Sequence, residues 1–197
     1  MSSGSQRTTS GESKYNRIIL KLSGEMMKGQ ESFGLDKPSV QFIANEIASA
    51  HNLGIETGVV IGGGNIFRGS SPAAEGMTRA VADHVGMLGT TINALVLQDA
   101  LENLEIPVRT MTAIPMADVA EPYIRRRAIR HMERKRVVIL AAGTGNPFYT
   151  TDSAAALRAN ELDADIVLKG TKVDGIYTKD PHKFDDAEFL KHCTYDK

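Results

Sequence analysis

A single cysteine, Cys193, is the only thiol in the 197-residue chain, which excludes an internal disulfide framework and any multi-cysteine metal site and suits a reducing cytoplasm. An excess of charge is also lacking. With 23 Lys and Arg against 24 Asp and Glu the net charge is −1, so nothing in the composition points to nucleic acid or another polyanion as partner, while small anions remain open. No apolar run reads as long enough to span a bilayer, so no membrane partner is expected. The polar, Ser-, Thr- and Gly-rich stretch Met1 to Asn16 has no apolar segment like that of a signal peptide and is expected to be a flexible tail. Aromatic residues make up only 6%, but 42% of the chain is hydrophobic, enough for one sizeable core. One α/β domain over residues 17–197 is the expectation.

Apolar runs alternate with helical patterns. Ile18 to Leu22 reads as a buried strand, followed by a helical face of Val40, Ile43, Ala44, Ile47 and Ala48 that ends near Gly54. Ile55 to Ile61 is a second strand. After it Met77, Val81, Val85, Leu88, Ile92, Leu95 and Val96 form a long helical stripe, with Gly86 and Gly89 expected to bend the helix. Val108 to Met111, Val137 to Ala141 and Ile166 to Leu168 are further strands, the last two separated by a helix over Asp152 to Leu162. This alternation predicts a largely parallel sheet covered on both faces.

Ligands of open α/β sheets bind beyond the carboxyl ends of the strands. Lys21 interrupts the first apolar run and Lys169 directly follows Ile166-Val167-Leu168. Each alone reads as a lysine reaching for water. Together, beside glycine-rich turns, they form a clamp suited to phosphoryl transfer, where positioning and charge neutralisation supply most of the catalysis. The turns Leu22-Ser23-Gly24, Gly62-Gly63-Gly64-Asn65 and Gly143-Thr144-Gly145-Asn146 offer main-chain N–H groups to phosphate oxygens. Asp152 reads either as a helix N-cap or as a residue that orients a ligand at a helix N-terminus.

Other phosphate motifs fail. Gly24 to Gly29 has the glycine spacing of a Walker A loop, but Gln30-Glu31 stands where Lys and Ser/Thr are required. Gly62 to Phe67 lacks the third glycine of a dinucleotide fingerprint, and the protein-kinase catalytic loop is absent. The five histidines show no zinc-ligand spacing.

Four stretches, in order, resemble the bacterial UMP kinases of the amino-acid-kinase superfamily: Lys21 to Glu25, Val59 to Gly69, Ala142 to Asp152, and Leu168 to Tyr177. Gly-Gly-Gly-Asn-x-Phe-Arg-Gly and Thr-Gly-Asn-Pro-Phe-x-Thr-Thr-Asp are the uridylate-specific parts. The resemblance implies a three-layer αβα sandwich with a largely parallel central sheet (the amino-acid-kinase fold) and ATP-dependent phosphorylation of UMP in pyrimidine nucleotide biosynthesis. It implies that Lys21, Leu22, Ser23 and Gly24 hold ATP phosphates, that Gly64 and Arg68 lie near the transferring group, and that Lys169 is the second cation. With Asp152, Lys21, Lys169 and Arg68 make the catalytic set. Thr171, Tyr177 and Asp180 would contact the adenosine of ATP. Gly63, Asp83, and Thr144, Gly145, Asn146, Pro147, Phe148, Tyr149, Thr150 and Thr151 would bind UMP.

Mg²⁺ would accompany ATP. Gly29, Gln30, Glu31, Ser32, Phe33 and Gly34 resemble the region where the family binds GTP, with UTP as a further effector and a homohexamer as the assembly. Taken singly, Asp83 also reads as a solvated carboxylate and Tyr177 as ordinary packing. The basic run Arg125 to Arg136 receives no function. Family members continue past the position of Lys197 and there carry an aspartate that organises the two lysines. The resemblance therefore implies a chain shortened at its C-terminus, with a sheet edge and part of the nucleotide pocket uncovered. Two other readings stand beside the kinase: a carboxylate or carbamate kinase on the same scaffold, and a non-catalytic nucleotide-binding relative.

Overall fold

Six strands in one parallel sheet carry the molecule: β1 (Arg17–Leu22), β2 (Glu56–Ile61), β3 (Val108–Thr112), β4 (Glu121–Pro122), β5 (Val137–Ala141) and β6 (Ile166–Gly170), in the spatial order β4-β3-β5-β2-β1-β6. The computed structural model describes residues 14–68, 75–171 and 173–194. Most of the N-terminal stretch expected to be a tail, residues 1–13, lies outside these, as do Gly69 and Lys172 of the motifs quoted above.

Among the described residues four α-helices cover the sheet: α1 (Lys37–Asn52), α2 (Arg79–Glu102), α3 (Arg125–Glu133) and α4 (Thr151–Glu161). The alternation of side chains along each strand divides the core in two. Leu22, Val59, Ile61, Val137 and Ile139 pack with Ile43 and Ile47 of α1 and Leu97 and Leu101 of α2. Ile19, Val60, Val138 and Leu140 point the other way, against Ala128 and Met132 of α3 and Ala154 and Ala155 of α4. The three-layer αβα arrangement follows, as the alternating pattern and the resemblance predicted. A two-stranded antiparallel ribbon, β7 (Ile176–Tyr177) with β8 (Phe189–Leu190), stands apart from the main sheet.

Helix starts have local causes. The Asp36 carboxylate accepts from the Ser39 amide at 2.9 Å, with Pro38 in the first turn of α1. The Thr150 hydroxyl oxygen accepts from the Ser153 amide at 3.1 Å to cap α4. Asp152 is therefore not the cap, and its carboxylate is available for other partners.

Helix α2 corrects three expectations. It runs unbroken through Gly86 and Gly89, and at Gly89 a Cβ would lie 3.3 Å from the Gly63 carbonyl oxygen and from Ile66, so the missing side chain there admits the turn after β2. Its predicted stripe faces outward: Met77, just before the helix, and Val81, Leu88 and Ile92 are exposed. Where α2 meets the glycine turn after β2 its inward face is mostly small and polar, Ala82, Gly89, Thr90, Asn93 and Ala94, whereas further on it buries Leu97 and Leu101. By length and composition α2 is also apolar enough to cross a membrane, yet much of its surface is buried in this fold as a core helix.

Among the described residues β6 pairs with β1 alone, and Val167 and Leu168 are exposed.

Candidate active site

Lys21 and Lys169 are register partners on the adjacent parallel strands β1 and β6, so their side chains leave the same face of the sheet. That face is the one covered by α4, whose first turn carries Asp152. One Asp152 carboxylate oxygen lies 3.0 Å from Lys21 Nζ and the other 3.2 Å from Lys169 Nζ. The Lys21 side chain is only 10% exposed, whereas those of Lys169 and Asp152 are about half exposed. A buried ammonium is costly without a counter-charge, and Asp152 supplies it. Asp152, one of the expected catalytic set, bridges the two lysines, brought in because the Thr150 cap starts α4 over the ends of β1 and β6.

Partial burial works to raise the Asp152 pKa, but Lys21, by hydrogen bond and charge, and then Lys169 hold it below the ordinary carboxylate range. A depressed folded pKa contributes stability that is complete above the unfolded value and is lost as pH falls through the folded one. The stability difference between the wild type and Asp152→Asn should therefore be constant near neutrality and shrink below about pH 4. Urea melts at stepped pH measure it. A difference that grows with acid would exclude the lysine-bridged carboxylate.

Two glycine turns meet beside this cluster. The Ser23 side chain accepts from the Glu25 amide at 3.3 Å and opens a short 3₁₀ helix, Gly24–Lys28, while the Gly62 amide donates to the Leu22 carbonyl at 2.9 Å. A Cβ on Gly24 would lie 2.4 Å from the Gly62 oxygen, so glycine there is a requirement of close approach. The Leu22 side chain belongs to the core, which leaves only its main chain for a ligand. Arg68 forms an ion pair with Glu25 and donates to the Gly64 carbonyl at 3.4 Å.

An open cleft of about 160 Å³ lies between the turn after β2, the start of α2 and the turn after β5. Gly63, Gly64, Asp83, Thr144, Asn146, Tyr149, Thr150 and Thr151 line it. Gly145, Pro147 and Phe148 belong to the same loop but not to the lining. Asp83 accepts from Arg79 at 2.8 and 2.9 Å and from the Phe148 amide at 2.7 Å. Desolvation works to raise its pKa, but those donors outweigh it and hold the carboxyl below its usual range. Phe148 has φ 71°, strained for an aromatic residue, and the bond to Asp83 helps to hold it.

A second opening is lined by Lys169, Thr171, Val173, Asp174, Gly175 and Ile176. Tyr177 and Asp180 are not in its lining: the Tyr177 ring packs edge-on to Phe189 at 5.5 Å, and Asp180 accepts from the His182 amide at 3.0 Å. Along Gly29 to Gly34 the chain is held at its end, where the Gly34 amide donates to the Asn65 carbonyl at 2.9 Å. Gln30, Glu31, Ser32 and Phe33 are exposed.

Sequence reasoning missed a buried amide pair. Asn65 and Asn93 exchange hydrogen bonds at 3.0 and 2.7 Å, while Asn93 also donates to the Gly62 carbonyl at 2.7 Å and Asn65 to that of Gly34 at 2.8 Å. Every bond sets the turn after β2. The available signal was an amide on α2 one turn before Leu97 of the core.

Two strand-end lysines joined by a carboxylate, beside glycine turns and an open cleft on an αβα sandwich, define a phosphoryl-transfer scaffold. The model of the amino acid kinase family matches residues 16–197. The uridylate kinase of Dichelobacter nodosus is 55% identical over 190 residues, covering 96% of this chain and 79% of that protein. That of Roseobacter denitrificans is 56% identical over 189 residues, covering 96% and 78%. Among solved structures, UMP kinase from Bacillus anthracis matches with a TM-score of 0.83 at 44% identity, over 88% of this chain and 72% of that one. UMP kinase from Ureaplasma parvum matches at 0.86 and 35% identity, over 93% and 78%. The chain belongs to the amino acid kinase family, in its uridylate kinase branch.

Proposed function

We propose that this protein transfers the γ-phosphoryl group of ATP in line to UMP, giving UDP and ADP, with residues 17–197 acting as one domain. The observation that carries the reading is the Lys21–Asp152–Lys169 bridge at the edge of an open cleft. In-line transfer needs little covalent help from a protein and much charge compensation. Lys21 and Lys169 neutralise the oxygens of the phosphoryl group in transit, and Asp152 holds the two ammonium groups apart and aimed. Arg68, restrained by Glu25, faces the same group from the acceptor side. Ser23, Gly24 and Gly64 offer main-chain donors to ATP, and Thr171, Tyr177 and Asp180 take its adenosine end. Gly63, Asp83 and the loop Thr144 to Thr151 take UMP.

Kinase chemistry of this kind uses a divalent cation. Mg²⁺ would arrive on the phosphates of ATP. GTP and UTP as effectors, with GTP near Gly29 to Gly34, and a cytoplasmic location belong to the same reading.

ADP release with UMP, CMP, dTMP and dAMP as acceptors tests the substrate. UMP should exceed each of the others by at least about tenfold in kcat/KM, the worth of one well-placed polar contact. Preference for any other acceptor would overturn the assignment.

We also propose a homo-oligomer, a hexamer, supported by the outward apolar stripe Val81, Leu88 and Ile92 on α2. Leu88→Glu with Ile92→Lys should lower the mass measured by light scattering. An unchanged mass would remove the stripe from the interface.

A further inference from the structure

Arg158 is a cation with 5% exposure, on the inner face of α4. Its guanidinium stacks 3.8 Å from the centre of the Tyr123 ring and pairs with Glu161 at 2.6 Å, and Glu161 in turn accepts from the Tyr123 hydroxyl at 2.7 Å. The remaining arm donates to the Gly143 carbonyl at 3.3 Å. Stability alone does not account for such an arrangement. Buried ion pairs are often replaceable by apolar side chains at no loss, because desolvation offsets their attraction.

What the guanidinium touches is a strained turn. Ala142, Gly143 and Gly145 all have positive φ, at 60°, 58° and 80°, and Ala142 has a side chain to pay for it. The Ala142 amide is held by the Thr90 hydroxyl at 2.8 Å, the Ala142 carbonyl by the Gly145 amide at 2.9 Å, and the Gly143 carbonyl by Arg158. Strain fixed from three sides marks a conformation needed for its shape. Gly143 and Thr144 are the residues that this turn presents to the cleft.

We propose that Arg158 is a positioning residue for the acceptor site: anchored on Tyr123 and Glu161, it holds the Gly143 carbonyl and thereby sets the turn that receives UMP. The proposal rests on the reading of the cleft as the UMP site. It separates Arg158 from Lys21 and Lys169, since the guanidinium is not in the lining of the cleft and acts through the turn on only one substrate.

Steady-state kinetics of Arg158→Lys and Arg158→Met test it. Loss of one charge-assisted hydrogen bond should raise the KM for UMP about tenfold in Arg158→Met, with the KM for ATP and kcat at saturating UMP within about twofold of wild type. Arg158→Lys, which keeps the charge but not the planar fork, should fall between. Tyr123→Phe keeps the ring and removes only the anchoring hydroxyl, so it serves if the Arg158 variants do not fold, with an expected rise in UMP KM of about threefold. An unchanged UMP KM, or a parallel rise in the KM for ATP, would overturn the proposal. A wild-type chain that turns over no UMP would sink the kinase reading instead. In that event calorimetric UMP affinity of wild type against the same variants decides the role of Arg158, with weaker binding expected and equal binding against it.

Discussion

Lys21→Ala is expected to lower kcat by roughly 10²–10³-fold, the loss seen when one preorganised donor to developing charge is removed. The size follows from where the ammonium sits. Lys21 is nearly buried at the end of a central strand, where low dielectric strengthens each interaction with a phosphate oxygen, while Lys169 is half exposed on an edge strand. Lys169→Ala should therefore cost less, by about tenfold. Stability should change far less than activity: Asp152 is itself half exposed and keeps Lys169, so the melting temperature should change by only a few degrees. Single-turnover kinetics beside a thermal melt separate the two effects. A kcat within about threefold of wild type in a folded Lys21→Ala protein would remove the charge clamp from the mechanism.

Gly63→Ala is expected to damage the fold and the cleft together. A Cβ there would lie 2.6 Å from the Gly86 carbonyl oxygen and 2.9 Å from the Thr90 amide, both main chain of α2, which cannot yield as a side-chain tip would. Relief requires pushing α2 away from the turn after β2, at a cost of about 1–3 kcal/mol for overpacking. It also moves Asn93, which holds Gly62, and Thr90, which holds Ala142. Both sides of the acceptor cleft shift together, so UMP binding should weaken at least about tenfold. The control is the neighbouring glycine. At Gly64 a Cβ meets nothing nearer than 3.7 Å, so Gly64→Ala should leave the melting temperature within a degree or two. Equal melting temperatures for the two alanine variants would contradict the packing of α2 on this turn.

The sheet was readable in the sequence because its strands are short apolar runs between helical patterns, and such runs announce themselves whatever their partners. The lysines were readable for a related reason: a charge inside or at the end of an apolar run is anomalous. Asp152 as the link between them was not, since a carboxylate near a helix start has a common local explanation as a cap. Only the discovery that Thr150 takes that role frees Asp152 for the lysines. The facing of α2 was misread because hydrophobicity and burial part company there. Beside the turn after β2 its inner surface is made of small residues, which periodicity of large apolar residues does not reveal. Asn65 with Asn93, and Arg158 with Tyr123 and Glu161, escaped because each joins residues far apart in the chain, and nothing in local composition states which distant groups will meet. The uridine specificity came from motif resemblance, while Tyr177 and Asp180 lie apart from the opening lined by Lys169 and Thr171.

Lys169 reaches its partners only while β6 remains paired with β1, its one neighbour among the described residues. An edge strand with one set of ladder bonds and exposed Val167 and Leu168 belongs to the part of a fold that frays first. Each such opening would carry one ammonium off and leave Asp152 with the other, while β1, β2, β5 and the acceptor cleft stay assembled. The two halves of the site therefore differ in local lifetime. Hydrogen exchange should register this as faster turnover of the β6 amides than of those in β2.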